Sequence, residues 1–268
     1  MSASFLITFR EGLEAAVIIG ILLSVLRALH EQKQNIFIWS GTVLGILMSF
    51  FFAWIFERFL GGFEGTFEQI YEGVLLLIAF GMITHMVLWM HRYGRNIRAN
   101  LEKKVKSIFE HKVVWTIGIL AFTAVVREGI EIVIFLKALS FQGGATISLM
   151  GGLLGLFAAV LCAVLLFVGT KNVSPKKFFQ ITGYFLLFIA AGLLSHSVSE
   201  FQEAGVLPTF LSPLYDLSGI LSEEKGIGAF LKAIFGYNSA PSFLASASYV
   251  VYLTFLVLYL KGGRKERA

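Results

Sequence analysis

Apolar residues along this chain gather into seven long runs, separated by short polar or charged stretches. The runs cover about 4–27, 36–56, 67–91, 113–137, 146–169, 178–200 and 243–260. A helix needs about 20 apolar residues to cross a bilayer, so each run predicts one crossing. Two of the runs are broken by charge. The first contains Arg10-Glu11-Gly12-Leu13-Glu14 and the fourth contains Arg127-Glu128-Gly129-Ile130-Glu131.

A charged side chain at the bilayer centre costs about 2.5–3.5 kcal/mol on insertion scales. Three charges in five residues, placed twice, therefore need a reason. In a helix, positions i, i+1 and i+4 share one broad face. Each string thus presents two carboxylates braced by an arginine. A buried salt bridge serving only packing is the plain alternative, but it would not need two carboxylates per arginine, twice. Two such helices facing each other would put four carboxylates around one point, a site for a hard cation. Arg10 and Arg127 would be structural charge braces, because a guanidinium cannot ligate a metal.

Composition agrees with a polytopic membrane protein: 57% of the 268 residues are hydrophobic and 15% charged. The first run has no basic leader and no small-residue cleavage site, so it is expected to be retained. Cys162 is the only cysteine, which excludes disulfides and cysteine metal clusters within one chain. The net charge of +5 does not point to nucleic acid, because the basic residues sit at helix ends. Stretches 27–35, 92–112, 170–177 and 261–268 hold 16 of the 22 Lys and Arg. The positive-inside rule puts them in the cytoplasm, the N-terminus outside and the C-terminus inside. Arg92, Arg95, Arg98, Lys103, Lys104 and Lys106 fix this orientation or contact anionic lipid. Glu57, Glu64, Glu68, Glu200, Glu203, Asp216, Glu223 and Glu224 fall on the other side, against Arg58, Lys137, Lys225 and Lys232. That side is either an ordinary solvated surface or a vestibule that concentrates cations. Trp39, Trp54, Trp89 and Trp115 lie near helix ends, as interfacial anchors do.

The chain repeats itself. The charged strings begin at 10 and 127, offset 117. Gly41/Gly45 in the second run match Gly151/Gly155 in the fifth, offset 110. Gly81-Met-Ile-Thr84-His85 in the third matches Gly192-Leu-Leu-Ser195-His196 in the sixth, offset 111. Small-xxx-small spacing alone means close helix packing. Three features in the same order predict two three-helix repeats, about 1–95 and 110–205. Three crossings is an odd number, so the repeats are inverted, as in transporters with a substrate site between repeats at mid-depth. The expected architecture is a single all-α transmembrane domain over 1–268, with an extracytoplasmic loop at about 201–242 and a seventh helix outside the repeat.

Other polar residues in the runs are secondary candidates. Glu72, in Tyr71-Glu72-Gly73, is an interfacial carboxylate, or else a metal-entry or fifth ligand. His196, Glu200 and Glu203, spaced i, i+4 and i+7, form a transient metal-capture face or a wetted helix end. His85 reads as a packing residue. The four central Glu and two Arg sum to −4 + 2 = −2, so a divalent ion neutralises the site and a trivalent ion leaves +1. Adding Glu72 gives −3. Oxygen ligation favours Mg, Ca, Mn or iron over Cu(I).

The two Arg-Glu-Gly-x-Glu strings resemble the signature of the oxidase-dependent iron permeases, the fungal high-affinity permeases and the bacterial EfeU-like proteins. Further segments are similar to the bacterial branch: Tyr71-Glu72-Gly73 through Ala79, Glu200-Phe-Gln-Glu203-Ala-Gly205, and Leu231 through Tyr237 with Pro241-Ser242. The resemblance implies seven helices and inward iron transport across the plasma (bacterial inner) membrane. It implies Glu11, Glu14, Glu128 and Glu131 as iron ligands. It also implies ferric iron made by a separate extracytoplasmic oxidase or delivery protein, and no resident cofactor, iron being the cargo. His85 stands where an aromatic residue is expected, and the long extracytoplasmic extension of some members is missing. Some relatives are linked to other metals such as lead, and manganese also suits the ligands. No phosphate-binding loop occurs, so this chain does not itself hydrolyse ATP. A di-iron oxidase needs Glu-x-x-His, and no Glu here has His three residues on. A sensor that binds without transport is the remaining rival, and the repeat argues against it.

Overall fold

The computed structural model describes residues 2–60, 65–93, 115–169, 175–223 and 226–265, with isolated positions between 103 and 108. Glu64, Arg95, Arg98, Lys104, Lys106, Glu224 and Lys225 lie outside the described residues.

Among the described residues every regular element is helical. The long helices are α1 (Ser2–Ala28), α2 (Asn35–Leu60), α3 (Thr66–Tyr93), α4 (Thr116–Gly143), α5 (Ala145–Gly169), α6 (Pro175–Glu203) and α8 (Phe243–Lys265). A short helix, α7 (Gly226–Phe235), lies between the last two. Segments in α2, α3, α5 and α6 are long and apolar enough to cross a membrane by length and composition. α1 and α4 match them in length, but each carries a three-charge string within its apolar run.

Two boundaries differ from the sequence expectation. The fourth run was expected to stop at Lys137, yet α4 continues to Gly143. Lys137 extends its ammonium to Glu57 at the end of α2, 3.0 Å away, so the charge does not break the helix. The helix stops where Gly144 takes φ 84°, its N–H donating to Ser140 O. The second difference is α7, inside the expected loop. At ten residues it is far too short to appear as a crossing. Glycines at positive φ, Gly226 and Gly236, mark its two ends.

The most extensive packing pairs are α1 with α5, α2 with α4 and α3 with α6, and α1 also runs along α4. Glycine makes two of these contacts possible. A Cβ added at Gly155 of α5 would fall 2.9 Å from Phe9 N and overlap Thr8 Oγ1 of α1. One added at Gly45 of α2 would fall 2.8 Å from Val125 Cβ of α4. Thr8 Oγ1 also donates across the first of these contacts to Gly152 O, at 3.0 Å. Such close approach replaces the hydrophobic drive that is absent between helices in lipid.

One apolar core joins the start of α1 to α3, the end of α4, α6 and α8. A second joins the end of α1 to the starts of α2 and α4. α1 is therefore enclosed. By contrast, α2 and α5 expose large side chains such as Phe50, Trp54, Leu153 and Phe157. Such faces suit lipid rather than water. All four tryptophans are likewise exposed near helix ends.

Candidate metal site

The charged strings lie well inside two long helices that touch. At 1.5 Å per residue, Glu11 is about 14 Å along α1 from Ser2 and Glu131 about 18 Å along α4 from Gly143. Those two helix ends lie on the same side of the bundle, since Ala3 and Ile7 of α1 share an apolar core with Phe135, Ala138 and Leu139 of α4. The helical repeat turns Arg10, Glu11 and Glu14 toward one side of α1, and Arg127, Glu128 and Glu131 toward one side of α4.

The glycine inside each string lets a third helix press on it from behind. A Cβ at Gly12 would sit 3.0 Å from Ala159 Cβ of α5. A Cβ at Gly129 would overlap Ser49 of α2. The sequence reading did not assign these glycines a role. Their signal was present, since each occupies the same place in both copies of the string.

One carboxylate oxygen from each of Glu11, Glu128 and Glu131 lies within 4.8 Å of the others, and all three residues are buried. Glu14 is also near, within the electrostatic reach of Glu131 and Arg127. Glu11 Oε2 and Glu128 Oε2 are buried with no hydrogen-bond partner. Unsatisfied buried carboxylate oxygens are costly unless something positive completes them. A buried cluster of carboxylate oxygens of this kind suits a hard cation.

The arginines pair with these carboxylates differently. Arg10 Nη1 donates to Glu11 Oε1 at 3.0 Å, and its Nη2 lies 2.7 Å from Glu14 Oε1. Its Nη1 also meets the thioether of Met86 on α3. Arg127 Nε donates to Glu131 Oε1 at 3.0 Å and lies 3.9 Å from Glu128. The Arg10 side chain is 0% exposed and that of Arg127 is 57% exposed. Met86 is a contact that spacing in the sequence did not reveal, because it comes from a different helix.

The secondary candidates divide. Glu72 and Glu200 lie within electrostatic reach of each other, and both feel Glu203 and Glu68. They form an acidic group on α3 and α6, which are zipped together there by Ser197 Oγ donating to Gly73 O at 2.7 Å. Glu72 is only about 9 Å along α3 from Thr66, shallower than the central carboxylates. His196 does not join them. It faces Lys232 of α7 and Glu223, and its Nε2 is buried without a hydrogen-bond partner.

Comparison with known proteins places this geometry. The Iron permease FTR1 family profile matches residues 1–263. The ferrous iron permease EfeU of Escherichia coli O6:K15:H31 (strain 536 / UPEC) is 34% identical over 255 residues, 94% of this chain and 92% of its own length. The ferrous iron permease EfeU of Yersinia pestis is 32% identical over 255 residues, 94% of this chain and 90% of its own. A relative in Escherichia coli K12, whose name describes an inactive ferrous iron permease EfeU, is 34% identical over the same share of this chain. No solved structure matches. The match runs from end to end and includes both charged strings: this chain belongs to the FTR1 iron permease family.

Proposed function

We propose that this chain moves iron across the membrane by passing it through the cluster of Glu11, Glu14, Glu128 and Glu131. The observation that carries this reading is the convergence of oxygens from the buried Glu11, Glu128 and Glu131 within 4.8 Å of one another. The carboxylates replace the hydration shell of the ion, and the two arginines hold them in place against their mutual repulsion. The site sits on helices from the two halves of the chain, as an alternating-access transporter requires.

Seven crossings in two inverted repeats complete the reading. The packing supports it, because exchanging α1 with α4, α2 with α5 and α3 with α6 reproduces the same pairs. The correspondence extends to residues. Gly45 meets Phe122 and Val125, whereas Gly155 meets Phe5 and Thr8. Those positions differ by the same 110 and 117 that relate the sequence motifs. Glu72, Glu200 and Glu203 are the capture group, weaker because they are wetter, and a separate extracytoplasmic protein supplies the metal. The relatives are named for ferrous iron, and a divalent ion cancels the formal −2 of the central residues.

Radioiron uptake into reconstituted vesicles tests this directly, with ferrous and ferric iron supplied in parallel and manganese and lead as competitors. Gln at any central glutamate should cut the maximal rate at least ten-fold in a protein that still folds. Gln at Glu200 and Glu203 together should instead raise the half-saturating iron concentration. Undiminished flux in the central variants would overturn the assignment.

A further inference from the structure

The stretch between α6 and α8 is apolar where a water-exposed loop should not be. From Ala204 to Ser222 its only charged residue is Asp216. Asp216 Oδ1 is engaged locally, accepting from the N–H and hydroxyl of Ser218 at 2.9 and 2.6 Å. Meanwhile Phe210, Leu211, Ile220, Ile227 and Phe230 are exposed, Ile220 to 86%. A patch of this kind on a soluble surface marks a binding face.

The loop is fastened at the membrane mouth. Leu214 N–H donates to Pro241 O at 2.7 Å and Leu217 N–H to Ser239 O at 2.8 Å. Phe243 N–H, the first of α8, donates to Leu211 O at 2.9 Å. Leu211 and Phe243 are both exposed, and the outward face of α8 continues through Val250, Val251 and Phe255. The apolar loop surface is thus continuous with the lipid-facing surface of α8. On its inner side, α7 is locked to the body of the protein, with Gly236 seated so closely on Gly192 of α6 that neither can bear a Cβ.

We propose that the stretch from Phe210 to Leu221, with Ile227 and Phe230 of α7, is an interfacial anchor, lying in the bilayer leaflet at this end of the bundle with its exposed apolar side chains among the lipid headgroups and upper acyl chains. Aromatic and aliphatic side chains, with Asp216 the single charge across 204–222, suit that zone. A protein partner would be expected to meet a charged or polar rim around the patch, and this stretch offers little of one. The anchor holds α7 against α1 and α6.

The test uses the whole chain in phosphatidylcholine vesicles. With Cys162→Ala as background, single cysteines at Phe210, Ile220 and Ile227 carry a nitroxide label. Val251 serves as the lipid reference and Glu203 as the water reference. Relaxation by oxygen relative to a water-soluble nickel chelate should exceed that at Glu203 several-fold, at all three positions. Nickel access equal to that at Glu203 overturns the proposal. So does protection from both reagents, which means cover by protein, and dipolar broadening between labels would then identify a second copy. Ile220→Glu with Ile227→Glu should return a label at Phe210 to nickel access, and if that variant does not fold the native-side-chain comparison still decides.

Discussion

Arg10 and Arg127 hold the same place in their strings but not the same surroundings. Arg10 is fully enclosed and touches Glu11, Glu14 and Met86. Removing one partner of a buried ion pair strands the other charge, at a cost of about 3–5 kcal/mol. Arg127 is more than half exposed, and exposed pairs are worth about 1 kcal/mol or less. Arg10→Ala should therefore lower thermal stability much more than Arg127→Ala, although both disturb transport. Equal losses in melting would remove the distinction. The sequence could not show this asymmetry, because the two strings are nearly identical and only their neighbours differ. A second residue-scale expectation concerns Glu223, outside the crossings. Partial burial works against its charge, but hydrogen bonds from Lys232 at 2.7 Å and from the Ser239 hydroxyl and N–H outweigh it, holding its carboxyl below the usual range. A depressed carboxylate contributes stability above the unfolded value and loses it as pH falls through the folded one. A nitroxide at Asn238 should become more mobile as pH drops below the ordinary glutamate range. Glu223→Gln should be mobile at neutral pH and show no such step.

At the scale of the element, glycine decides which helices meet. Gly45 and Gly155 place α2 on α4 and α5 on α1 at distances that no side chain permits. Overpacking a tight contact costs about 1–3 kcal/mol. Gly45→Leu and Gly155→Leu should each reduce the monodisperse, folded fraction after purification. Gly81→Leu, where a Cβ meets nothing within 4 Å, should not. If all three behave alike, the contacts are not as tight as described. The long helices were legible as apolar runs because lipid demands about 20 such residues in a row. α7 was not legible, because a ten-residue helix is stabilised by its seat on α6 and not by its own composition.

At the scale of the molecule, the basic connections predict the direction of the chain through the membrane. Cysteine at Ser2 should react with an impermeant reagent from outside, whereas Lys33 and Lys265 should react only after the membrane is opened. An N-terminus labelled from the cytoplasm would overturn both the orientation and the inverted relation of the repeats. The acidic group of Glu72, Glu200 and Glu203 is separate from His196. Helical spacing put His196 within one turn of Glu200. The structure instead turns its ring toward Lys232 and Glu223, because α7 covers that side of α6.

From its sequence alone the chain reads as long apolar helices fit to cross a membrane, with an expected repeat and two charged strings as its candidate site. These follow from local rules: apolar run length, positional offsets and the cost of charge in lipid. It took the packed structure to bring Glu11, Glu128 and Glu131 into one cluster, to enclose one arginine and leave the other open, and to place a helix in the loop after α6. Each of these depends on which helices pack together. Glycine contacts between segments far apart in the chain, such as Gly45 with Val125 and Gly155 with Thr8, make that choice, and no local pattern in the chain records their partners.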